Sequence, residues 1–446
     1  MGARRRSGCR RRALHVHQRF YAGDMSFDSP LFIFFFATVL LVYSVLLSVE
    51  KARLLLLLGA GIFFISQGNL FSLVVLSIYT IVTICLAHAI SCADKQRRRI
   101  FALSLVLNFS SLLVFRIYQG QWNIFPLGFS FYSFASVTYL VDIYFRRCGA
   151  DAFQYAVAVS FFPTLISGPI FRLRNLIAQL KSPEVLDWVR ARESSVLIAN
   201  GFFKKAVSEL ISTSVIEGLT HTQPALSRFA WLQVIVFVAK YYADFSGYSD
   251  IAIGTAGLLG IKVPANFNLP FLATSIGDFW RRWHMTLNHW MNEYVFKPLI
   301  YTDALAFLRR IPQIGPTLFE RRQYTAILAA MLAIGLWHGL TLTFALWGVY
   351  MGVLLGFEMA FASRWKPRLP RPIKIFATFF LVLNGYVIFM QPSLQSALEM
   401  FSRMYDPTVA YTSLGMSYVI VVSLVLLVPH IFDFILIKNE YFKNHT

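Results

Sequence analysis

The chain has 446 residues, of which 57% are apolar and 14% are charged, and its formal net charge is +19. Soluble domains carry roughly 25% charged residues, so a single water-soluble core of this size and apolarity is excluded. The positive charge would also suit nucleic-acid binding, but the basic residues lie in short loops between long apolar runs, as they do in membrane proteins. The composition therefore predicts an all-α polytopic membrane protein whose partner is the lipid bilayer and not nucleic acid.

The predicted elements are apolar runs, because a helix that crosses a bilayer needs about 20 such residues. They lie near residues 31–49, 53–68, 70–90, 100–117, 125–145, 153–171, 195–215, 228–260, 323–340, 341–362, 375–391 and 414–437. Several runs are short or contain polar residues, so we predict about eleven transmembrane helices with further re-entrant or interfacial helices. No internal repeat and no low-complexity linker divides them, which indicates one domain.

The basic loops predict an orientation, because Lys and Arg are enriched at the cytoplasmic ends of membrane spans. The loops expected in the cytoplasm contain Lys51 and Arg53, residues 95–99, and Arg146 and Arg147. This orientation places the start of the first span outside the cell, where the seven Arg of residues 1–24 are not expected. Those residues match neither a signal peptide nor the N-myristoylation pattern. We therefore expect translation to start at Met25, and residues 25–446 to form the domain.

The segment FFPTLISGPIFRLRNL, residues 161–176, contains helix breakers inside an apolar run, namely Pro163, Gly168 and Pro169. A broken helix at membrane depth is tolerated where it is buried in protein or lines a wet cavity. The alternative is a loop at the membrane surface from which Arg172 and Arg174 extend towards water.

The segment YYADFSGYSDIAIG, residues 241–254, carries Asp244 and Asp250 in an otherwise apolar stretch. Ionisable groups at membrane depth are costly and often functional. The two Asp residues are six positions apart and so lie on opposite sides of a helix, which excludes a pair that shares one proton. The structural interpretation is that each carboxylate binds nearby backbone or pairs with an Arg of residues 278–290.

The segment DFWRRWHMTLNHW, residues 278–290, is strongly polar for this chain. His284 and His289 are five positions apart, about 140° around a helix, and the HExxH motif is absent, so we predict no metal site. The four Cys residues form no CxxC pair. The Arg residues alternate with Trp residues, which predicts an amphipathic segment at the membrane boundary. These residues are Arg281, Arg282, Trp280, Trp283 and Trp290.

His338 is the imidazole most deeply placed in an apolar run. Between Arg322 and Glu358 the other ionisable side chains are two Tyr. Sixteen helical residues from Arg322 correspond to about 24 Å, beyond the middle of an apolar layer about 30 Å thick. His338 is either a core residue bound to a neighbouring hydroxyl or a general base, since a neutral imidazole is the usual proton acceptor near pH 7.

Six segments in this order resemble the membrane-bound O-acyltransferase family over residues 27–437. They are FPLGFSFYSF, FFPTLISGPIFR, DFSGYSDIAIG, GIKVPANFNLPF, DFWRRWHMTL and GLWHG. The chain looks like the bacterial branch that contains alginate O-acetyltransferases and the D-alanyl transferases of teichoic acid. It departs from the acetyltransferase pattern at Asn292 and Glu293, where Arg-Asp is usual, and it has no Gly pair after Pro298–Leu299.

The resemblance implies a helical shell around a central tunnel. A thioester donor, acetyl-CoA or an acyl carrier protein, would enter from the cytosol as co-substrate, with no bound cofactor. His338 matches the catalytic His of the family and His284 matches the second functional His. Arg281 and Arg282 are the residues expected to meet the donor's phosphates. The other candidate substrate-binding residues are Trp337, Asp244 and Tyr248.

The expected function is transfer of an acyl group, with acetyl favoured, to a hydroxyl for modification of a cell-envelope or exported polysaccharide. The resemblance implies the cytoplasmic membrane of a bacterium and a periplasmic partner protein that takes part in acyl transfer. The motif GxSxG is absent, so direct transfer without an acyl-enzyme is the simpler mechanism. The alternatives are D-alanyl transfer from a carrier protein and, in another class, a secondary transporter or flippase, whose inverted repeats are not evident.

Overall fold

A computed structural model of the chain describes residues 26–27, 29–122, 125–212, 230–301, 318–365, 369–406, 431 and 433. Within these ranges the regular structure is helical, without a β-strand, which confirms the all-α prediction for this part of the chain. Residues 1–24 lie outside it. The described residues form two compact units. One contains the residues up to Phe202 together with Tyr248–Pro264, and the other contains Phe203–Gly247 and the residues from Ala265 onward.

The first ten helices follow the apolar runs in chain order. They are α1 (Pro30–Val45), α2 (Glu50–Ser66), α3 (Leu70–Cys92), α4 (Arg97–Trp122), α5 (Phe129–Tyr144), α6 (Ala152–Val159), α7 (Phe162–Leu165), α8 (Leu173–Lys181), α9 (Trp188–Leu210) and α10 (Ala230–Leu258). Helices α9 and α10 contribute residues to both units.

The remaining elements belong to the second unit and begin with short pieces. They are a 3₁₀ turn (Pro270–Leu272), α11 (Ile276–Trp280), α12 (Met285–Met291), a π-helical turn (Asn292–Phe296), α13 (Lys297–Tyr301), α14 (Leu318–His338), α15 (Leu342–Trp365), α16 (Arg371–Met390) and α17 (Leu394–Met404).

Four helices of the described residues are long and apolar enough to cross a membrane, namely Leu70–Cys92, Arg97–Gln119, Leu342–Phe361 and Arg371–Met390. Only 22% of the most apolar stretch of α3 is buried, as expected for a helix that faces lipid. The count of about eleven crossings is not confirmed. Helix α1 is apolar but has 16 residues, and the expected span at 414–437 lies outside the described residues except for two positions.

The predicted break in residues 161–176 is confirmed. Helix α6 ends at Val159, α7 has four residues, and α8 begins at Leu173. Gly168 has a φ of +143°, a conformation that favours glycine. Phe161 and Phe162 are fully buried, so the interpretation as a segment buried in protein applies, and the surface-loop alternative does not.

Arg53, one of the residues used to predict orientation, has a structural role. Its side chain is buried and donates hydrogen bonds to the carbonyl oxygens of Leu47, Leu180 and Lys181. The last two carbonyls are at the end of α8, where helical carbonyl groups lack intrahelical partners. Lys51 is exposed.

Helices α14 and α15 form a closely packed hairpin in the second unit. A Cβ added at Gly348 would lie 2.5 Å from the backbone oxygen of Met331, and one added at Gly335 would overlap the backbone oxygen of Phe344. Small residues permit this approach of two backbones. The hairpin therefore determines where the end of α14, which is His338, lies relative to α15.

Candidate functional site

The site begins with a backbone clamp that holds residues 266–268 against residues 282–285. The N–H of Asn268 donates to the oxygen of Arg282, and the N–H of Met285 donates to the oxygen of Asn266, both at 2.9 Å. His284 has a φ of +42°, in the left-handed region. Such a conformation costs a non-glycine residue on the order of 1–3 kcal/mol and persists where surrounding structure enforces it. The clamp provides that enforcement.

The Trp side chains of the 278–290 segment are buried. Trp280, Trp283 and Trp290 are 5%, 6% and 4% exposed. The ring of Trp283 lies 5.1–6.1 Å from six other aromatic rings, those of Tyr241, Tyr242, Phe267, Phe271, Phe279 and Tyr386. These Trp side chains therefore pack inside the protein and do not form a lipid-facing surface, because aromatic faces of the protein itself cover them, whereas the position of the segment at the membrane boundary stays a prediction.

Arg281 and Arg282 both bind Asp278. The Nε of Arg282 lies 3.0 Å from Asp278 Oδ1, and a terminal nitrogen of Arg281 lies 3.4 Å from it. Burial by itself would raise the pKa of Asp278, but the hydrogen bonds from the Thr274 N–H and Arg282, with the two Arg charges, lower the pKa overall. The side chain of Arg281 is 67% exposed, so an anion from solvent has access to it. Binding of donor phosphates by these residues stays a prediction.

His284 is buried and its tautomer is defined by its neighbours. Its Nδ1 lies 2.9 Å from Asn266 Oδ1, which also accepts hydrogen bonds from the hydroxyl and the N–H of Thr286. An amide oxygen only accepts, so Nδ1 carries the proton and Nε2 carries a lone pair. Burial lowers the pKa of His284 to about 3, so the ring is neutral at pH 7. Within the described residues, Nε2 has no hydrogen-bond partner.

His338 is half-buried among aromatic rings at the end of α14. Its ring centroid lies 4.6 Å from Trp337, 4.9 Å from Phe389 and 5.6 Å from Trp347. Trp337 also lies 6.4 Å from His284. The second unit therefore brings three predicted site residues together, with Trp337 in contact with both imidazoles. His338 is not sealed among aliphatic side chains.

Two indole nitrogens, of Trp347 beside His338 and of Trp280 beside Trp347, have no partner in the described part of the chain. The Nε1 atoms of Trp280 and Trp347 are buried without a hydrogen bond, and the two rings lie 5.9 Å apart. Buried indole N–H groups usually donate to a partner. Together with the Nε2 of His284, these are two donors and one acceptor of the second unit that lack partners within the described residues, and buried polar groups of this kind call for a partner such as a bound ligand.

The predicted residues of α10 have other partners. Asp244 forms an ion pair of 2.6 Å with Lys205, so the expected pairing of Asp244 with an Arg of residues 278–290 is wrong. The partner comes from α9 because that helix places a Lys beside α10. Asp250 accepts a hydrogen bond from Asn200 at 2.7 Å. Tyr248 belongs to the first unit, where it stacks on Phe27 at 4.4 Å, and its substrate-binding role stays a prediction.

His289 is exposed whereas His284 is buried, so the two imidazoles do not face one another. In the ranges that the structure describes, no three His, Cys, Asp or Glu side chains lie close enough to hold a metal ion. Asn292, where the chain departs from the family pattern, begins the π-helical turn. Such turns are frequent near functional sites.

Several residues of this cluster were not predicted from the sequence. Asn266 is part of the quoted motif GIKVPANFNLPF, but nothing in the spacing indicates that it binds a side chain 18 positions later. The sequence pattern places Trp280 at the membrane boundary, and it does not distinguish Trp347 or Phe389 from other aromatic residues. The GLWHG motif indicated a site around His338, but aromatic residues elsewhere in apolar helices carry no distinguishing pattern.

Comparison with known proteins gives one family. Residues 57–401 match the family described as MBOAT, the membrane-bound O-acyltransferases. A probable alginate O-acetylase of Pseudomonas aeruginosa is 30% identical over 408 residues, an alignment that covers 86% of this chain and 75% of that protein. The peptidoglycan O-acetyltransferase of Helicobacter pylori is 29% identical, with coverage of 85% and 79%. The teichoic acid D-alanyltransferase of Bacillus subtilis is 30% identical, with coverage of 52% and 59%.

Proposed function

Because the chain belongs to the membrane-bound O-acyltransferase family and is an acyltransferase, we propose that it transfers an acetyl group from a cytosolic thioester to a hydroxyl. This transfer would be part of the modification of a cell-envelope or exported polysaccharide. His338 would act as the general base. The transporter or flippase interpretation is not supported, since the family and the named relatives are enzymes.

The proposal is carried by one observation, the grouping of His284, Trp337 and His338 beside buried polar atoms that have no partner in the described residues. A purely structural imidazole would lie where neighbours satisfy every buried donor and acceptor nearby. Two indole donors and one imidazole acceptor match a substrate that has carbonyl oxygens and a hydroxyl. His338 is only half-buried, which is compatible with access for a substrate.

In the proposed reaction, the acceptor oxygen attacks the carbonyl carbon of the thioester while a ring nitrogen of His338 takes the hydroxyl proton. The tetrahedral intermediate then breaks its carbon–sulfur bond, and the electron pair goes to sulfur. The sulfur takes the proton from the imidazolium, which leaves a free thiol, an ester and neutral His338. A positioned general base contributes roughly 10²–10⁴-fold to such a step.

The donor side of the proposal uses the Asp278 cluster. Arg281 is mostly exposed and its pairing with Asp278 is long at 3.4 Å, so its guanidinium has capacity for a phosphate. Both acetyl-CoA and the phosphopantetheine arm of an acyl carrier protein carry phosphate. The central tunnel, the periplasmic partner protein and the bacterial cytoplasmic membrane stay predictions that follow from the family.

Acetyl transfer is favoured over D-alanyl transfer by the extent of the alignments. The two acetyltransferases align over 86% and 85% of this chain, whereas the D-alanyltransferase aligns over 52%. D-alanyl transfer from a carrier protein is the second candidate.

The test is His338→Ala, measured as transfer of labelled acetyl groups in proteoliposomes. We expect at least a 10²-fold loss of kcat with unchanged thermal stability. His289→Ala is the matched control, because His289 is an exposed imidazole outside the cluster, and it should retain wild-type turnover. Wild-type turnover by the His338 variant would refute the mechanism.

The donor and the acceptor are identified by testing every combination of candidate substrates. Acetyl-CoA, acetyl carrier protein and D-alanyl carrier protein are each offered with alginate oligomers, peptidoglycan fragments or teichoic acid. Transfer of D-alanine but not acetate would overturn the acetyl assignment while leaving the role of His338 intact.

A further inference from the structure

We propose that Asn266 is a positioning residue that holds His284 in the Nδ1–H tautomer, so that Nε2 always presents a lone pair to the bound acceptor. This inference deepens the proposed function and rests on it. It adds a residue outside the two-histidine set and assigns His284 a defined chemical task, acceptance of a hydrogen bond from a donor of the bound acceptor other than the proton that His338 removes.

The identity of the atom that faces His284 is determined by Thr286. The backbone N–H of Thr286 lies 3.4 Å from Asn266 Oδ1, and its hydroxyl lies 2.9 Å from the same atom. A backbone N–H can only donate, so the atom must be the amide oxygen and not the amide nitrogen. Asn266 is 1% exposed, so water does not compete for this oxygen.

The oxygen of Asn266 excludes the other tautomer of His284. With the proton on Nε2, the lone pair of Nδ1 would face a lone pair of Oδ1 across 2.9 Å, and the buried Nδ1 would have no donor. With the proton on Nδ1, the contact is a normal hydrogen bond. The same logic applies to histidines held by a carbonyl or carboxylate, in which one ring nitrogen determines the state of the other.

The backbone of Asn266 has a separate role from its side chain. Its carbonyl oxygen accepts the N–H of Met285 at 2.9 Å, which is part of the clamp around His284. A side-chain substitution at 266 leaves that bond available. The clamp and the tautomer can therefore be perturbed independently.

Several charged groups on the elements around His284 are paired with one another. Asp278 binds Arg281 and Arg282, and on α10 Asp244 binds Lys205. The other titratable groups on these elements, within the described residues, include His338 next to Trp337, exposed His289, Lys240 near Asp244, and Glu358, which accepts the N–H of Gly277. Three Tyr rings, those of Tyr241, Tyr242 and Tyr386, pack on Trp283. A new charge at position 266 would therefore be the main electrostatic change that His284 experiences.

Two variants and one control test the inference. Asn266→Leu removes the acceptor at similar volume. Asn266→Asp retains an acceptor for Nδ1–H and adds a negative charge that stabilises protonated His284. Asn288→Leu is the control, because Asn288 is a half-buried Asn on α12 whose side chain makes no hydrogen bond in the described residues.

The direct readout is ¹⁵N NMR of histidine-labelled protein in nanodiscs, with the His284 signals assigned by their loss in His284→Gln. Wild-type protein and the Asn288 control should show neutral His284 with Nδ1 protonated between pH 5 and pH 8. Asn266→Leu should show Nε2–H or a mixture. Asn266→Asp should keep Nδ1–H but gain a second proton as the pH falls through this range.

The kinetic readout is the pH profile of acyl transfer. Asn266→Leu should lose about tenfold to hundredfold in kcat at every pH, with an unchanged KM for the thioester. Asn266→Asp should lose activity at acid pH and approach the wild-type rate at alkaline pH, where its imidazole is neutral. A merely structural role would not give this recovery.

The outcomes separate the two proposals. An Nε2–H tautomer in the wild-type protein, or a wild-type tautomer and kcat in Asn266→Leu, would overturn the role of Asn266. Activity of His338→Ala would overturn the proposed base, and the NMR result would still decide the tautomer. If Asn266→Leu does not fold, the titration of Asn266→Asp decides, and the absence of any shift in its profile would overturn the inference.

Discussion

The close packing of α14 and α15 allows a quantitative prediction for Gly348→Ala. The added Cβ would lie 2.5 Å from the backbone oxygen of Met331 and 3.0 Å from the Cα of Leu332. Carbon–oxygen contacts of this kind are normally no shorter than about 3.3 Å, so the helices must separate by about 0.8 Å. The obstructing atoms are backbone, which cannot rotate away as a side chain would.

The separation reaches the proposed site because the two helices carry its residues. Trp347 precedes Gly348 on α15, and its ring lies 5.6 Å from that of His338 at the end of α14. A misplacement of about 1 Å can cost on the order of 10² in rate, and overpacking costs about 1–3 kcal/mol of stability. We expect Gly348→Ala to insert and fold, with kcat reduced between tenfold and hundredfold.

The assay is kcat for acetyl transfer in proteoliposomes, with Tm measured on the same preparations. Gly356→Ala is the matched control on α15. Its Cβ would lie 3.4 Å from the Tyr324 ring, an ordinary contact with a side chain, so it should remain within about twofold of wild type. Wild-type kcat and Tm in Gly348→Ala would show that the helices do not pack as described.

Two further predictions concern stability. Because burial lowers the pKa of His284 to about 3, the unfolded chain binds a proton below about pH 6.5 that the native protein does not bind. The free energy of unfolding should therefore fall by about 1.4 kcal/mol per pH unit between pH 6 and pH 4. Thermal melts of wild type should show this slope and those of His284→Gln should show less of it, whereas equal slopes would exclude His284 as its source. Arg53→Met leaves three carbonyl groups without their donor and should lower stability by about 3 kcal/mol, while Lys51→Met at an exposed position should not. Equal Tm values for these two variants would contradict the role of Arg53.

The break in the 161–176 segment could be predicted from the sequence because proline and glycine act locally. Pro163 begins a four-residue helix and Gly168 takes a φ that other residues avoid, whatever the rest of the chain does. The all-α class was predictable for a related reason, since the backbone of an apolar run in a membrane must satisfy its own hydrogen bonds.

The partners of polar side chains were not predictable in the same way. Asp244 pairs with Lys205, 39 positions earlier, and His284 binds Asn266, 18 positions earlier. Lys205 and Asn266 are each one of several polar residues in their segments that could have been the partner. Hydrophobic periodicity predicts which face of a helix is buried, but it does not predict which other element packs against that face. The Trp residues of the 278–290 segment illustrate the same limit, because an indole at a membrane boundary and an indole in an aromatic cluster have one sequence pattern.

The sequence by itself determined the helical class and the broken helix, and its motifs led to the prediction that His338 and His284 are functional. Only the tertiary structure decided that Trp337 contacts both imidazoles, that Asn266 sets the protonation of one of them, and that buried donors beside them lack partners in the described residues. The physical reason is that backbone conformation depends on neighbouring residues, whereas the state of an ionisable side chain depends on whichever groups folding places within about 3–6 Å of it.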